Sequence, residues 1–268
     1  MSDLVSVIVP VYNRETMVEA TLLNLLSTSH RPIELVLVDD GSTDDSLKVL
    51  QQFKAEHESE EFSVKVISQE NKGGSAARNT GLRNSTGSYI QFLDSDDSID
   101  SSKFTRQVAQ MQEKNSDASV CDFQQVYPDH TINHNNKNPL WIVAHLMSVG
   151  CASPLLKSDL AKSFSWTENL PFSQDGDYNL KVLLGAKSVS HLPVILYYQN
   201  RHDEPGITNN QRRTNPFPFN QRLSSLMFDG ILNFKYGFSL KRIVLGSYSF
   251  ILLLLKKIKY TLSRSRRN

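Results

Sequence analysis

Across its first hundred residues the chain alternates short apolar runs with helical patterns, and that alternation leaves few folds open. Val5-Ser6-Val7-Ile8-Val9 has the β-branched composition of a strand. Thr16 and Glu19 then have capping-box spacing, and Met17, Ala20, Leu23 and Leu26 recur at helical intervals, which predicts a helix with that face inward. Residues 34–38, 64–67 and 89–93 read as three further strands. Between them, Leu47, Leu50 and Phe53 mark a second helix and residues 76–83 a short third one. Strands joined through helices in this way require right-handed crossovers, so an α/β fold is expected, with a mostly parallel sheet and helices on both faces.

Beyond Asp97 the pattern loosens. Phe104, Val108 and Met111 predict a helix, and residues 118–123 another strand. Residues 127–139, rich in Asn and Asp between Pro128 and Pro139, read as a polar loop, with His130 and His134 as loop residues. The acidic run at 56–61 reads as a solvated helix end, and Trp141 and Trp166 either stack on a ligand or pack in the core. Residues 200–220 are polar and proline-rich, and a helical tail is expected from about Leu223.

With 268 residues, 39% hydrophobic and 21% charged, the chain has the length and composition to bury a core, which excludes wholesale disorder. Cys121 and Cys151 are too few for a disulfide framework or a multi-thiolate zinc site. No uncharged run reaches the roughly 18 apolar residues that span a bilayer, and Met1-Ser2-Asp3 does not open a signal peptide, so a cytoplasmic location is expected. The net charge of +1 hides a split. Beyond Asp229 there are nine basic residues and no acidic one, while residues 1–234 carry 20 basic and 28 acidic side chains. Within the tail, residues 243–255 are uncharged and mainly apolar between Lys241-Arg242 and Lys256-Lys257, which suits an interfacial or a buried helix. The tail is read as peripheral on an anionic membrane; no nucleic-acid motif accompanies its basic residues.

Carboxylates gather where the strands end: Asp39-Asp40 after the second, Asp94-Ser95-Asp96-Asp97 after the fourth. Ligands of open α/β sheets bind outside those ends. Carboxylates there would repel a bare phosphate, so a divalent cation between them and a diphosphate is expected, Mg²⁺ or Mn²⁺ by its taste for oxygen. A role as turn and helix caps is the simpler alternative. Neither a Gly-x-x-x-x-Gly-Lys-Ser/Thr loop nor Gly-x-Gly-x-x-Gly follows the first strand, which argues against a P-loop NTPase or a dinucleotide oxidoreductase. A phosphoacceptor receiver domain also carries strand-end acids, but it is shorter and leaves the second half unexplained.

Four blocks occur in order: Ser6-Val-Ile-Val-Pro-Val-Tyr-Asn13, Val38-Asp-Asp-Gly-Ser-Thr43, Asn71-Lys-Gly-Gly-Ser-Ala-Ala-Arg-Asn79 with Gly81, and Phe92-Leu-Asp-Ser-Asp-Asp97. Together they closely resemble the inverting glycosyltransferases of family 2, tightly over residues 4–100 and more loosely to about 208. The resemblance implies a GT-A fold divided into a nucleotide-sugar-binding half (1–115), an acceptor-binding half (116–210) and the helical basic tail (211–268). It implies that Pro10, Tyr12 and Asn13 line the nucleotide pocket, that Asp40 accepts from the base, most often uracil, and that Arg78 approaches the nucleotide or its phosphates. Asp94 and Asp96 match the family's Asp-x-Asp, with Asp96 holding the metal and Asp94 reaching ribose or donor sugar. The family's Glu-Asp before a helix corresponds to Gln174-Asp175, with Gln in place of Glu and Lys181 where Arg is common, so Asp175 is the expected general base and Asp177 its rival. His202, in a segment like the family's Tyr-Arg-x-His, is a candidate metal ligand or diphosphate contact.

The implied enzyme is a metal-dependent hexosyl- or N-acetylhexosaminyltransferase. It would take sugar from a nucleoside diphosphate, UDP foremost, to a saccharide or lipid-linked saccharide acceptor in bacterial surface-polysaccharide assembly. The alternative is a sugar-nucleotide-binding regulator without activity, since the Gln174 departure is compatible with lost catalysis.

Overall fold

The first four strands form in the expected order and pair in parallel. β1 (Val5–Val11) lies between β2 (Ile33–Asp39) and the short strand Tyr89–Phe92, and β3 (Phe62–Ser68) flanks β2. Helices α1 (Val18–Leu26), α2 (Ser46–His57) and α3 (Gly74–Asn84) make the crossovers. The computed structural model describes residues 3–134, 152–170 and 174–201.

β1 and β2 are near-continuous apolar runs because both faces are covered, whereas β3, at the end of the sheet, alternates. Val5, Val7, Val9, Leu35 and Leu37 pack with Val18, Leu22 and Leu25 of α1, whereas Ile8, Val36, Val38 and Ile90 pack with Ala77 and Leu82 of α3. α3 lies very close to the sheet: a Cβ on Gly81 would sit 2.3 Å from Ile8 Cγ2, so only glycine fits there. At the amino ends of the strands a buried carboxylate, Glu34, accepts hydrogen bonds from Ser6 Oγ, Lys65 Nζ, Thr86 N and Thr86 Oγ1. Burial alone would raise its pKa, but the Lys65, Ser6 and Thr86 hydrogen bonds outweigh it and hold the group below the ordinary glutamate value.

Beyond Tyr89–Phe92, which is β4, follow β5 (Ser98–Ile99), α4 (Lys103–Glu113), β6 (Ala118–Val126), β7 (Thr131–His134), β8 (Pro154–Lys157), α5 (Ser158–Lys162), α6 (Gln174–Gly185) and β9 (Val189–Asn200). The sheet order is β3-β2-β1-β4-β8-β6-β9-β5, with β7 beside β6. β8 is antiparallel to both β4 and β6, β6 and β9 are parallel, and β5 is antiparallel to β9. The second half therefore continues the same sheet in mixed rather than purely parallel pairing.

Three sequence expectations are corrected. α1 starts at Val18 with Met17 as N-cap and no side-chain cap, so Thr16 and Glu19 form no capping box; the Met17 and Val18 N–H groups instead donate to Arg14 O. Its inward face is Val18, Thr21, Leu22 and Leu25, while Leu23 is 46% exposed. The helix is rotated because its polar residues are docked: Thr21 Oγ1 donates to the carbonyls of Ser95 and Asp97, each at 3.0 Å, and Asn24 Nδ2 to Ile99 O at 3.0 Å. Apolar spacing alone cannot register hydrogen bonds of that kind.

The 127–139 loop contains a strand. β6 extends to Val126, Tyr127 N donates to His130 O across the turn, and β7 pairs antiparallel with β6. His134 is in that strand, stacked on Phe123 at 4.2 Å between ring centroids. The α4 helix forms where Phe104, Val108 and Met111 predict it and also places Lys103 in the interior, where its Nζ donates to Gln91 Oε1 at 2.5 Å and Gln107 Oε1 at 2.6 Å. Cys121 is a buried free thiol. Cys151, Trp141, His202 and the 211–268 tail lie outside the described residues. Among the described residues, no helix is long and apolar enough to cross a membrane.

Candidate active site

The loops leaving β1 and β2 are stitched together at the carboxyl edge of the sheet. Asn13 turns the chain with φ +50°; its Oδ1 accepts from Thr43 N at 2.8 Å and its own N–H donates to Ser42 Oγ at 3.0 Å. Tyr12, immediately before it, is 45% exposed, an unusual setting for an aromatic ring at the end of a buried strand. Pro10 is partly buried within β1.

Asp40 is buried and accepts from Gln69 Nε2 at 2.7 Å, Lys72 N at 3.0 Å and Gly73 N at 2.8 Å. It thereby fixes the segment that leads into α3. A carboxylate offers about four lone-pair positions, so three donors leave one acceptor position. Gly41, at φ +72°, permits the close approach: a Cβ there would lie 2.7 Å from Asn71 N.

Arg78 on α3 is the hub of the next layer. Its Nη2 donates to Asp94 Oδ1 at 2.5 Å and its Nη1 to Gln174 Oε1 at 3.4 Å. The guanidinium lies over the Trp166 ring at 4.6 Å, a cation–π contact. Trp166 is 1% exposed, stacked on Tyr178 at 4.4 Å and edge-on to Phe92 at 5.0 Å. Of the two readings of this tryptophan, core packing is the one realised, and the ring also seats the site's arginine.

Asp94 and Asp96 are partly exposed in the loop after β4, whereas Asp97 is buried. Asp97 accepts from Tyr197 OH at 2.5 Å and Asn200 N at 2.9 Å, while Asn200 Nδ2 donates to Asp96 O at 2.7 Å. Burial, with Asp94 and Asp96 close by, drives the Asp97 pKa well above the ordinary range. Asp97 therefore joins the acidic loop to the end of β9.

α6 brings the second half to the same place. Asp175 lies in its first turn, closely surrounded by protein yet with part of its surface open to solvent. Burial pushes its carboxyl up to about 6; Arg78 and Arg201 pull it down, and Asp94 adds to the rise. The rival, Asp177, points elsewhere: only 7% exposed, its Oδ2 accepts from Thr167 Oγ1 at 2.6 Å and Lys181 Nζ at 2.7 Å.

The structure thus brings Arg78, Asp94 and Asp175 together, with Asp96 in the same loop as Asp94. Pro10, Tyr12, Asn13 and Asp40 stand at the adjoining ends of β1 and β2. Sequence reasoning missed Arg201. It stood in the singled-out Tyr198-Gln-Asn-Arg-His202 run, but no local signal reports that its charge reaches Asp175 from another element. Among the described residues, no group of three or more His, Cys, Asp or Glu side chains forms a ready metal cage.

A sheet that is parallel in its first half and mixed in its second, with acidic loops at its carboxyl edge, defines a GT-A fold. Residues 6–174 match the model for glycosyl transferase family 2, and the chain belongs to that family. It is 36% identical over 216 residues to the uncharacterized glycosyltransferase EpsJ of Bacillus subtilis, covering 74% of this chain and 61% of EpsJ. It spans only 30–40% of the length of two further curated relatives. Among solved structures, S. aureus TarS 1–349 in complex with UDP-GlcNAc superposes with a TM-score of 0.67 at 25% identity, covering 76% of this chain and 60% of that one. The mannosyltransferase PcManGT from Pyrobaculum calidifontis, in complex with GDP-Man and Mn²⁺, shares the fold with a TM-score of 0.63 at 17% identity, over 92% of this chain and 71% of its own.

Proposed function

We propose that the chain is an inverting, metal-dependent glycosyltransferase of bacterial surface-polysaccharide assembly. It would move a hexosyl or N-acetylhexosaminyl group from a nucleoside diphosphate donor, UDP-linked by preference, to a saccharide or lipid-linked saccharide. The observation that carries this is the placement of Asp175: partly open to solvent, its carboxyl pushed up to about 6 by burial, and within electrostatic reach of both Arg78 and Asp94, which pair with each other. The nucleotide-sugar complexes of TarS and PcManGT support the donor class.

In this reading Asp175 takes the proton of the acceptor hydroxyl as its oxygen attacks the anomeric carbon from the face opposite the diphosphate, which inverts the centre. Arg78, held on Trp166, offers positive charge where the leaving diphosphate accumulates negative charge. Asp40, with an acceptor position to spare, and the exposed Tyr12 ring would hold the base. Pro10 and Asn13 shape that pocket's floor.

The donor set fits a hard divalent cation, because the loop offers carboxylate oxygens from Asp96 and Asp94 while Asp97 is committed to Tyr197 and Asn200. Mg²⁺ and Mn²⁺ sites of this kind use one or two carboxylates and leave the rest of the sphere to water and substrate phosphate. Asp96 would hold the ion, with His202 as a further candidate ligand, and a bound ion would neutralise the departing diphosphate.

Asp96→Ala is expected to abolish Mn²⁺-dependent UDP binding, measured by titration calorimetry with and without EDTA. Asp97→Ala should instead lower stability through the lost Tyr197 and Asn200 contacts. Undiminished Mn²⁺-dependent affinity in the Asp96 variant would remove the metal assignment.

The location proposed is the cytoplasmic face of the membrane, reached through the basic tail. Truncation after Tyr236 is expected to abolish co-sedimentation with phosphatidylserine vesicles and to spare turnover on a soluble acceptor. Unchanged sedimentation would contradict the anchoring role, and a truncated protein that no longer folds would mean that the 243–255 stretch is core.

A further inference from the structure

We propose that Gln69 sets which base the nucleotide pocket accepts. By filling one oxygen of Asp40 it leaves that carboxylate a single open acceptor position, which selects uracil over guanine. The inference rests on the reading of Asp40 as the group that meets the base.

The hydrogen-bond donors on Asp40 are unevenly shared. Its Oδ1 accepts from both Gln69 Nε2 at 2.7 Å and Lys72 N at 3.0 Å. Its Oδ2 accepts from Gly73 N at 2.8 Å alone among the described residues. A carboxylate oxygen has two lone pairs, so Oδ1 is full and the open position belongs to Oδ2. Lys72 N and Gly73 N are main-chain groups, so Gln69 is the one side chain among the described residues that sets this count.

The direction of the Gln69 amide is fixed by its neighbours. Thr80 Oγ1 donates to Gln69 Oε1 at 2.7 Å, and Arg83 Nη2 donates to Thr80 Oγ1 at 2.9 Å. Turning the amide over would set its carbonyl against the Asp40 carboxylate, acceptor against acceptor. The main chain is held as well: Gln69 N donates to Asp39 O at 2.9 Å, one step past the β2–β3 ladder.

The two bases differ in what they ask of such a group. Uracil presents one N–H, at N3, between two carbonyls, and a single open position satisfies it. Guanine presents N1–H and an N2 amino N–H together and needs an acceptor for each. In this pocket guanine would pair one of them and set the other against a filled oxygen, giving up a hydrogen bond to water without replacement. Without Gln69, each Asp40 oxygen would hold one main-chain N–H and one open position, the pattern that a two-donor base edge requires.

The test titrates the 268-residue chain, in Mn²⁺, with UDP and with GDP by calorimetry, with thermal melts in parallel. Wild type is expected to prefer UDP. Gln69→Ala should tighten GDP binding about tenfold and leave UDP within about threefold of wild type. Thr80→Val, which keeps the side chain's shape and removes the hydroxyl that anchors the amide, should tighten GDP about threefold. A residue that only braced the loop would, when removed, weaken both nucleotides together. That result, GDP binding by Gln69→Ala no tighter than wild type, or a wild type without preference would each overturn the proposal. Should Gln69→Ala fail to fold, the GDP affinity of Thr80→Val decides alone. Failure of the nucleotide-sugar reading itself shows separately, as a wild-type chain that binds neither nucleotide.

Discussion

Asp175→Asn is expected to reduce turnover by about 10²- to 10⁴-fold while leaving UDP affinity nearly unchanged. The substitution keeps the size of the side chain and removes only its capacity to accept a proton. In the wild type the carboxyl, pushed up to about 6 by burial, is ionised at neutral pH and becomes protonated below that value. The rate should therefore fall about tenfold per pH unit on the acid side, and the residual rate of the Asn variant should lack that limb. Asp177→Asn should behave differently. Its carboxylate is buried between Thr167 and Lys181, so its loss should cost about 1–3 kcal/mol of stability in chemical denaturation, with kcat per folded molecule preserved. A larger drop in turnover from Asp177→Asn, at equal UDP affinity, would transfer the base to that residue.

Trp166→Ala should be the most damaging single change to the fold, about 3–5 kcal/mol. The ring is fully enclosed between Tyr178 and Phe92, and its removal leaves a cavity that the sheet on one side and α6 on the other cannot easily close. The same change takes the platform from beneath Arg78, so UDP affinity should fall in the fraction that remains folded. Trp166→Phe, which keeps an aromatic face, should recover most of both. Thermal melts and UDP titrations of the two variants separate the effects: an alanine variant as stable as wild type would mean that the ring does not carry the core.

The first half was legible because its signals are local. β1, β2 and β4 are largely apolar runs and β3 alternates as an edge strand does, and the acidic residues that follow β2 and β4 are strand-end loops wherever such runs form a parallel sheet. What could not be read is what depends on contacts distant in sequence. α1 turned its Thr21 and Asn24 inward because carbonyls at 95–99 were waiting for them, over 70 residues away. β7 formed because β6 ran three residues farther than its apolar pattern and offered an edge to pair with. At the site, Asp94, Asp96 and Asp97 are indistinguishable as a sequence run. Only the fold separates Asp97, spent on Tyr197 and Asn200, from Asp94, paired with Arg78. Asp175 and Asp177 are likewise separated by Lys181 one helical turn on and by Thr167 from the preceding loop.

The most direct test of a sugar-transfer site at these strand ends is the anomeric outcome. The 268-residue chain with Mn²⁺ and UDP-α-linked N-acetylglucosamine, followed by proton NMR faster than the free sugar mutarotates, should show UDP released together with the β-anomer, and Asp175→Asn should slow both by about 10²- to 10⁴-fold. Release of the α-anomer would contradict inversion by Asp175. Tight UDP-sugar binding without turnover of this or any other nucleoside diphosphate sugar would contradict catalysis and leave a sugar-nucleotide-binding protein in its place.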